Sequence, residues 1–282
     1  MADSSPSVAD KRRAFRELHA QGCFVIPNPW DVGTARYLQG LGFKALASTS
    51  AGYAFAQGLP DGAVSRDMML AHLRELAAAT DVPVNADFEG GYADDPEGVA
   101  ESVRLCVATG VAGLSIEDST MSAEPLYDFD LAVRRVKAAR AAIDAAGGEV
   151  FFTARSEGFI RGRPDLDEII RRLTAYAEVG ADCLYAPGIK TREEIAAVVK
   201  AVAPKPVNFL MFSATANFSV ADLAGLGVRR ISVGGTLART AWTAFTRSAR
   251  EIAEQGRFDS FTGMMSNPEL NAFFAADLAK RT

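Results

Sequence analysis

Histidine and cysteine are scarce in this chain, and their scarcity narrows the chemistry open to it. Only two histidines, His19 and His72, occur among 282 residues, and each falls in a segment patterned as an outer helix. Ser-His-Asp triads and histidine-ligated metals therefore lack their residue. The three cysteines, Cys23, Cys106 and Cys183, stand far apart with no CxxC spacing. That argues against a disulfide framework or a zinc site and for thiols packed among apolar neighbours. Acid, base and electrostatic work is left to carboxylates, Arg, Lys, Tyr, backbone amides or a bound cation.

Long apolar runs are missing as well. No stretch approaches the roughly 20 apolar residues of a membrane span, and residues 1–10 are polar, without the apolar centre of a signal peptide. A cytoplasmic protein with no membrane partner is expected. A formal net charge of -5 argues against a broad basic surface for nucleic acid or anionic lipid, so the expected partner is a small molecule.

What the chain has in quantity is core material: 49% of it is hydrophobic and 23% charged. One domain spanning residues 1–282 is the expectation. Short apolar runs flanked by Gly, Pro or Asp lie at residues 23–27, 44–49, 83–87, 113–118, 150–155, 183–186, 206–210 and 230–234. They have the look of parallel strands buried on both faces. Amphipathic stretches at 65–80, 96–110, 130–146, 165–180 and 192–203 separate several of them, two of them ending at Gly, where helices stop. The phrases GLGFKAL, ATGVAGL, EVGADCL and GLGVRRI recur in front of strands, as repetition of one βα unit would produce. Eight such units without a break predict a (β/α)8 TIM-type barrel. Beyond them, residues 237–254 and 267–278 read as C-terminal helices carrying Trp242, Phe245, Phe273 and Phe274, with Phe261 between them. So much apolar surface needs cover, either the chain's own barrel bottom or a neighbouring subunit.

In such a barrel the chemistry sits where strands turn polar at their C-terminal ends. The second strand ends in Ser48-Thr49-Ser50-Ala51-Gly52, with Asp61 in the following loop. The third ends in Asn85-Ala86-Asp87-Phe88-Glu89, the fourth in Glu117-Asp118, and the fifth in Arg155-Ser156-Glu157. Residues two apart share a face, so Asn85 and Asp87 point together and Glu117 can join them. Converging carboxylates repel unless Arg155 or a cation neutralises them, and an all-oxygen set suits Mg2+ or Mn2+. Phe159, Tyr127, Met211 and Phe212 read either as specificity pocket or as packing.

The ordered motifs STSAG, GLPDG, NADFEGGY, SIED and TARSE resemble the isocitrate lyase and phosphoenolpyruvate mutase superfamily from Asn28 to about Ala244. The resemblance implies a (β/α)8 fold, homo-oligomers joined through C-terminal helices, and Mg2+ holding a keto or enolpyruvyl carboxylate. It implies metal contacts from Asp87, Asn85, Asp61 and Glu117, catalytic roles for Arg155, Glu117 and Asp61, and substrate binding by Thr49, Ser50, Ala51, Arg155 and Asn208. The family's Asp-x-Asp becomes Asn85-Ala86-Asp87, with Glu89 an extra loop residue. The Lys-Lys-Cys-Gly-His loop that gives the lyases a thiol is absent: residues 119–128 read STMSAEPLYD. The expected function is a Mg2+-dependent carbon-carbon lyase or decarboxylase acting on a small keto- or hydroxy-di- or tricarboxylate through an enolate. Carbon-phosphorus mutase or hydrolase chemistry is the alternative, and a non-catalytic keto-acid binding protein a third.

Overall fold

The structure is a computed structural model describing residues 6–120, 124–213 and 217–281; the first five residues of the polar start and residues 121–123 of the segment after Asp118 lie outside it. Eight strands form: β1 (Phe24–Ile26), β2 (Leu46–Ala47), β3 (Val84–Asp87), β4 (Gly113–Glu117), β5 (Phe151–Arg155), β6 (Cys183–Tyr185), β7 (Val207–Leu210) and β8 (Arg230–Ser232). Every pairing is parallel, in the order β1-β8-β7-β6-β5-β4-β3-β2. The remaining seam between β1 and β2 is bridged just beyond β1, where the Ala47 amide donates to the Pro27 carbonyl at 3.0 Å and the Asn28 side chain to the Ser48 carbonyl at 2.8 Å. The result is the expected barrel, nearly closed.

Around it run α2 (Val32–Gly40), α4 (Arg66–Ala79), α5 (Pro96–Val107), α6 (Phe129–Ala145), α7 (Leu166–Glu178), α8 (Arg192–Val202) and the short α9 (Val220–Gly225), with α1 (Val8–Ala20) before β1 and α3 (Ser50–Ala56) directly after β2. Side chains cap the starts: Asp95 accepts from the Gly98 amide, Asp165 from Glu168 and Thr191 from Glu194. The inner faces then pack by helical spacing, as Ile169, Leu173 and Tyr176 do on α7. Cys106 and Cys183 are buried and Cys23 half-buried. The two histidines lie on α1 and α4 and are buried there.

The barrel bottom is filled by α1, whose Phe15 is fully buried and whose His19 stacks on Phe151 at 3.9 Å. The C-terminal helices, α10 (Thr236–Gln255) and α11 (Asn267–Ala279), lie elsewhere. An Arg36–Asp277 pair, bonded at 2.8 and 2.7 Å, ties α11 to α2, and Phe273 packs on Tyr37. On α10 only Ala238 is buried, while Trp242, Phe245, Phe258, Met264 and Leu278 remain exposed along the tail. Because α1 already fills the barrel bottom, these side chains do not cover it. Among the described residues no helix is long and apolar enough to cross a membrane.

Candidate active site

Strand ends place the polar residues, and a guanidinium organises them. Glu117 and Arg155 are register partners on β4 and β5, so their side chains leave the sheet together. The Arg155 fork spreads over three carboxylates: Nη1 to Asp87 at 2.7 Å, Nη2 to Glu117 at 3.0 Å and Nε to Glu157 at 2.8 Å. The second oxygen of Asp87 accepts from the Ser50 amide and hydroxyl at 2.9 and 3.0 Å. Ser50 opens α3, where first-turn amides have no intrahelical partner and suit an anion. Thr49 caps that helix through the Gly52 amide, and Ala51 follows along the same cavity wall.

The loop after β3 bends back into the mouth. Glu89 and Tyr92 both have left-handed backbones, at φ 46° and 57°, costing roughly 1–2 kcal/mol each for residues with a side chain. The bend carries the Glu89 carboxyl inward, where Oε1 is buried with no hydrogen-bond partner. Burial, then repulsion from Asp87, Glu117 and Asp61, pushes its pKa up to about 8. Asp61 sits on the exposed rim of its own loop, yet its carboxyl looks into the cluster; desolvation, then Asp87 and Glu117, raise its pKa. Burial also raises Glu157, against the attraction of Arg155.

The structure thus brings together Asp61, Asp87, Glu117 and Arg155, and adds Glu89 and Glu157. Asn85 is placed differently. It lies deeper in the same cavity than Asp87, 3% exposed, with its amide on the Ala86 carbonyl and its Oδ1 buried without a partner, and Glu89 brings a further carboxylate to the group. The sequence held the signal, since Glu89 stands two residues past Asp87 as Asn85 stands two before it. Asn208 is also deep, held by Arg230 at 2.8 Å and by Ser232 at 2.9 Å. Asn85 and Asn208 line the lower part of a cavity of ≈170 Å3 that opens at Ser50, Asp87 and Arg155. Phe159, Met211 and Phe212 line neither this cavity nor the two that adjoin it at Glu89, whereas Tyr127 lines one of those beside Glu89 and Glu117, where it bonds Asp94 and lies under the Arg135 guanidinium.

Among the described residues no three His, Cys, Asp or Glu side chains close into a ready metal cage. That arrangement still fits Mg2+, which keeps several waters and takes one or two carboxylates directly. The donors are hard oxygens, and one buried carboxylate oxygen of Glu89 is unclaimed.

An eight-stranded parallel barrel with this acidic mouth belongs among the barrel enzymes. Residues 15–253 match the phosphoenolpyruvate phosphomutase family, and the chain belongs to it, within the isocitrate lyase/PEP mutase superfamily of lyases and mutases. A Burkholderia cenocepacia J2315 structure, named a candidate lyase/mutase, shares 48% identity over 95% of this chain and 96% of its own, with a TM-score of 0.91. The oxaloacetate decarboxylase of Paraburkholderia xenovorans (strain LB400) is 30% identical over 78% of this chain and 74% of its own. The fold is shared with phosphonopyruvate hydrolase, solved with oxalate and Mg2+, at 24% identity, 96% and 97% coverage and a TM-score of 0.82.

Proposed function

We propose that this protein is a Mg2+-dependent carbon-carbon lyase or decarboxylase that cleaves a small keto- or hydroxy-carboxylate and leaves a keto acid. The observation that carries the reading is the acidic mouth organised by one guanidinium: Asp87, Glu89, Glu117 and Asp61 around Arg155. Asp87 would hold the ion directly, with Glu89, Glu117 and Asp61 reaching it through water. Bound there, Mg2+ would supply positive charge for an enolate oxygen as it develops. The chain's own groups do the rest. Arg155, though shared among three carboxylates, presents positive charge toward the substrate carboxylate, Ser50 and Ala51 line the same wall at the start of α3, and Glu89, its pKa raised by burial and acidic neighbours, is placed to hold or pass a proton.

No cysteine lies at the mouth among the described residues, so the thiol acid of the lyase loop has no counterpart there. This favours oxaloacetate-like or alkylmalate-like substrates over isocitrate. Keto-acid release from oxaloacetate, 2-methylisocitrate and alkylmalates, assayed beside phosphonopyruvate, tests the reading. Turnover of phosphonopyruvate alone would replace it with carbon-phosphorus chemistry.

We further infer that the exposed face of α10 and α11 is covered by a second copy of this chain, in a cytoplasmic homo-oligomer. Sedimentation of wild type and Phe245→Glu tests this. A monomeric wild type contradicts it.

A further inference from the structure

Above Arg155 lies a second guanidinium that the proposed reaction leaves unused. Arg161 sits in the turn after β5, and the turn is stiff. The Ile160 and Arg161 amides both donate to the Glu157 carbonyl, at 3.1 and 3.0 Å, and the Arg163 amide to Gly158 at 2.8 Å. A side chain at Gly158 would stand 2.8 Å from the Arg163 carbonyl, so glycine is what lets the chain close this tightly.

Arg161 donates from Nη2 to Ser119 Oγ at 2.9 Å and stands 4.0 Å from Glu117 Oε1. Its Nε and Nη1 have no partner among the described residues. Arg155 meets the other oxygen of Glu117, Oε2, at 3.0 Å, so the two guanidinium groups straddle one carboxylate. They share a cavity of ≈210 Å3 whose other titratable lining is acidic: Asp61, Glu89, Glu117 and Glu157. A substrate's second carboxylate meets repulsion from whichever of these groups are ionised. Arg155 cannot relieve it alone, being divided among three carboxylates already. Arg161 has two donor nitrogens to spare, on a backbone fixed by its turn and with one nitrogen anchored on Ser119.

We propose that Arg161 receives the distal carboxylate of the substrate and so selects dicarboxylates over monocarboxylic keto acids. The inference rests on the keto-acid reading of the site. The competing role is a strap, in which Arg161 only steadies Ser119.

Calorimetry in the presence of Mg2+ separates the cases, with malate as the dicarboxylate probe and oxamate as the monocarboxylate. Arg161→Gln should weaken malate about 10- to 100-fold, the loss of a charged hydrogen-bonded contact, and leave oxamate within about twofold. Arg161→Lys should recover part of the malate affinity, since it keeps the charge without the fork. Ser119→Ala, which also removes a hydrogen bond to Glu117, should not weaken malate selectively over oxamate. Equal weakening of both probes by Arg161→Gln, no weakening of malate, or reproduction of the effect by Ser119→Ala would overturn the proposal. If wild type binds neither probe, the keto-acid reading itself fails, and the proposal with it.

Discussion

Arg155 at the mouth and Arg230 on the barrel floor both point inward, and their partners differ in kind. Arg155 is held by three carboxylates. Arg230, 3% exposed, has no carboxylate within ion-pair distance among the described residues: it bonds Asn208, Thr153 at 3.0 Å and His19 at 3.4 Å. His19 Nδ1 donates to the Phe15 carbonyl at 2.7 Å, so Nε2 is the acceptor facing Arg230. Burial, then the charge of Arg230, drives the His19 pKa down to about 3 and keeps the ring neutral. The floor therefore holds an excess of positive charge and the mouth an excess of negative charge. Each offsets part of the cost of burying the other. The mouth, with more carboxylates than its arginines can neutralise, is the end prepared for a cation.

The largest test of this contrast removes each guanidinium in turn without Mg2+. Arg155→Met leaves three carboxylates facing one another, and chemical denaturation should show a loss of about 3–5 kcal/mol. Arg230→Met leaves only neutral groups unpaired, for a loss of roughly 1–3 kcal/mol. Equal losses would break the comparison. Arg155→Lys keeps the charge, so it should preserve much of the stability while catalytic efficiency falls about 10- to 100-fold.

Protons probe the same contrast more gently. Glu89 has a raised folded pKa, so its contribution is present below about 4.5 and is lost as pH rises through about 8. His19 has a lowered one, so its contribution is present above about 6.5 and is lost as pH falls toward 3. Melting temperature without metal should sag on both flanks. Glu89→Gln should flatten the alkaline flank alone, and Mg2+ affinity of the wild type should climb as pH passes 8. An alkaline flank unchanged in Glu89→Gln would remove that carboxyl from the cluster. The smallest effect is expected at Asn85, which sits below the cluster: Asn85→Asp should change Mg2+ affinity by less than about threefold in calorimetry. A larger gain would return Asn85 to the metal site.

The barrel was legible because its strands, buried on both faces, stand out as short apolar runs bounded by Gly and Pro. Asp87, Glu117 and Arg155 were legible for the related reason that strand ends face one mouth. The short α3 was missed; its Ser-Ala-Gly start reads as loop, and seven residues carry little helical period. Glu89 was set aside as an extra residue, because its inward turn depends on left-handed backbone that no periodicity announces. Arg161 lies six residues past Arg155 in an irregular turn, where sequence alternation says nothing about direction. The exposed tail was visible as aromatic content, but its docking on α2 follows from Arg36 and Asp277, 241 residues apart.

The central claim is that a metal held at Asp87 drives keto-acid chemistry at this mouth. It is tested most directly by following keto-acid release from oxaloacetate with Mg2+, with EDTA, and in Asp87→Ala. The account predicts turnover that EDTA abolishes and Mg2+ restores, and that falls on the order of 10^2- to 10^3-fold or more in a variant with unchanged circular dichroism. Full activity of Asp87→Ala, or wild-type turnover undiminished by EDTA, would contradict it.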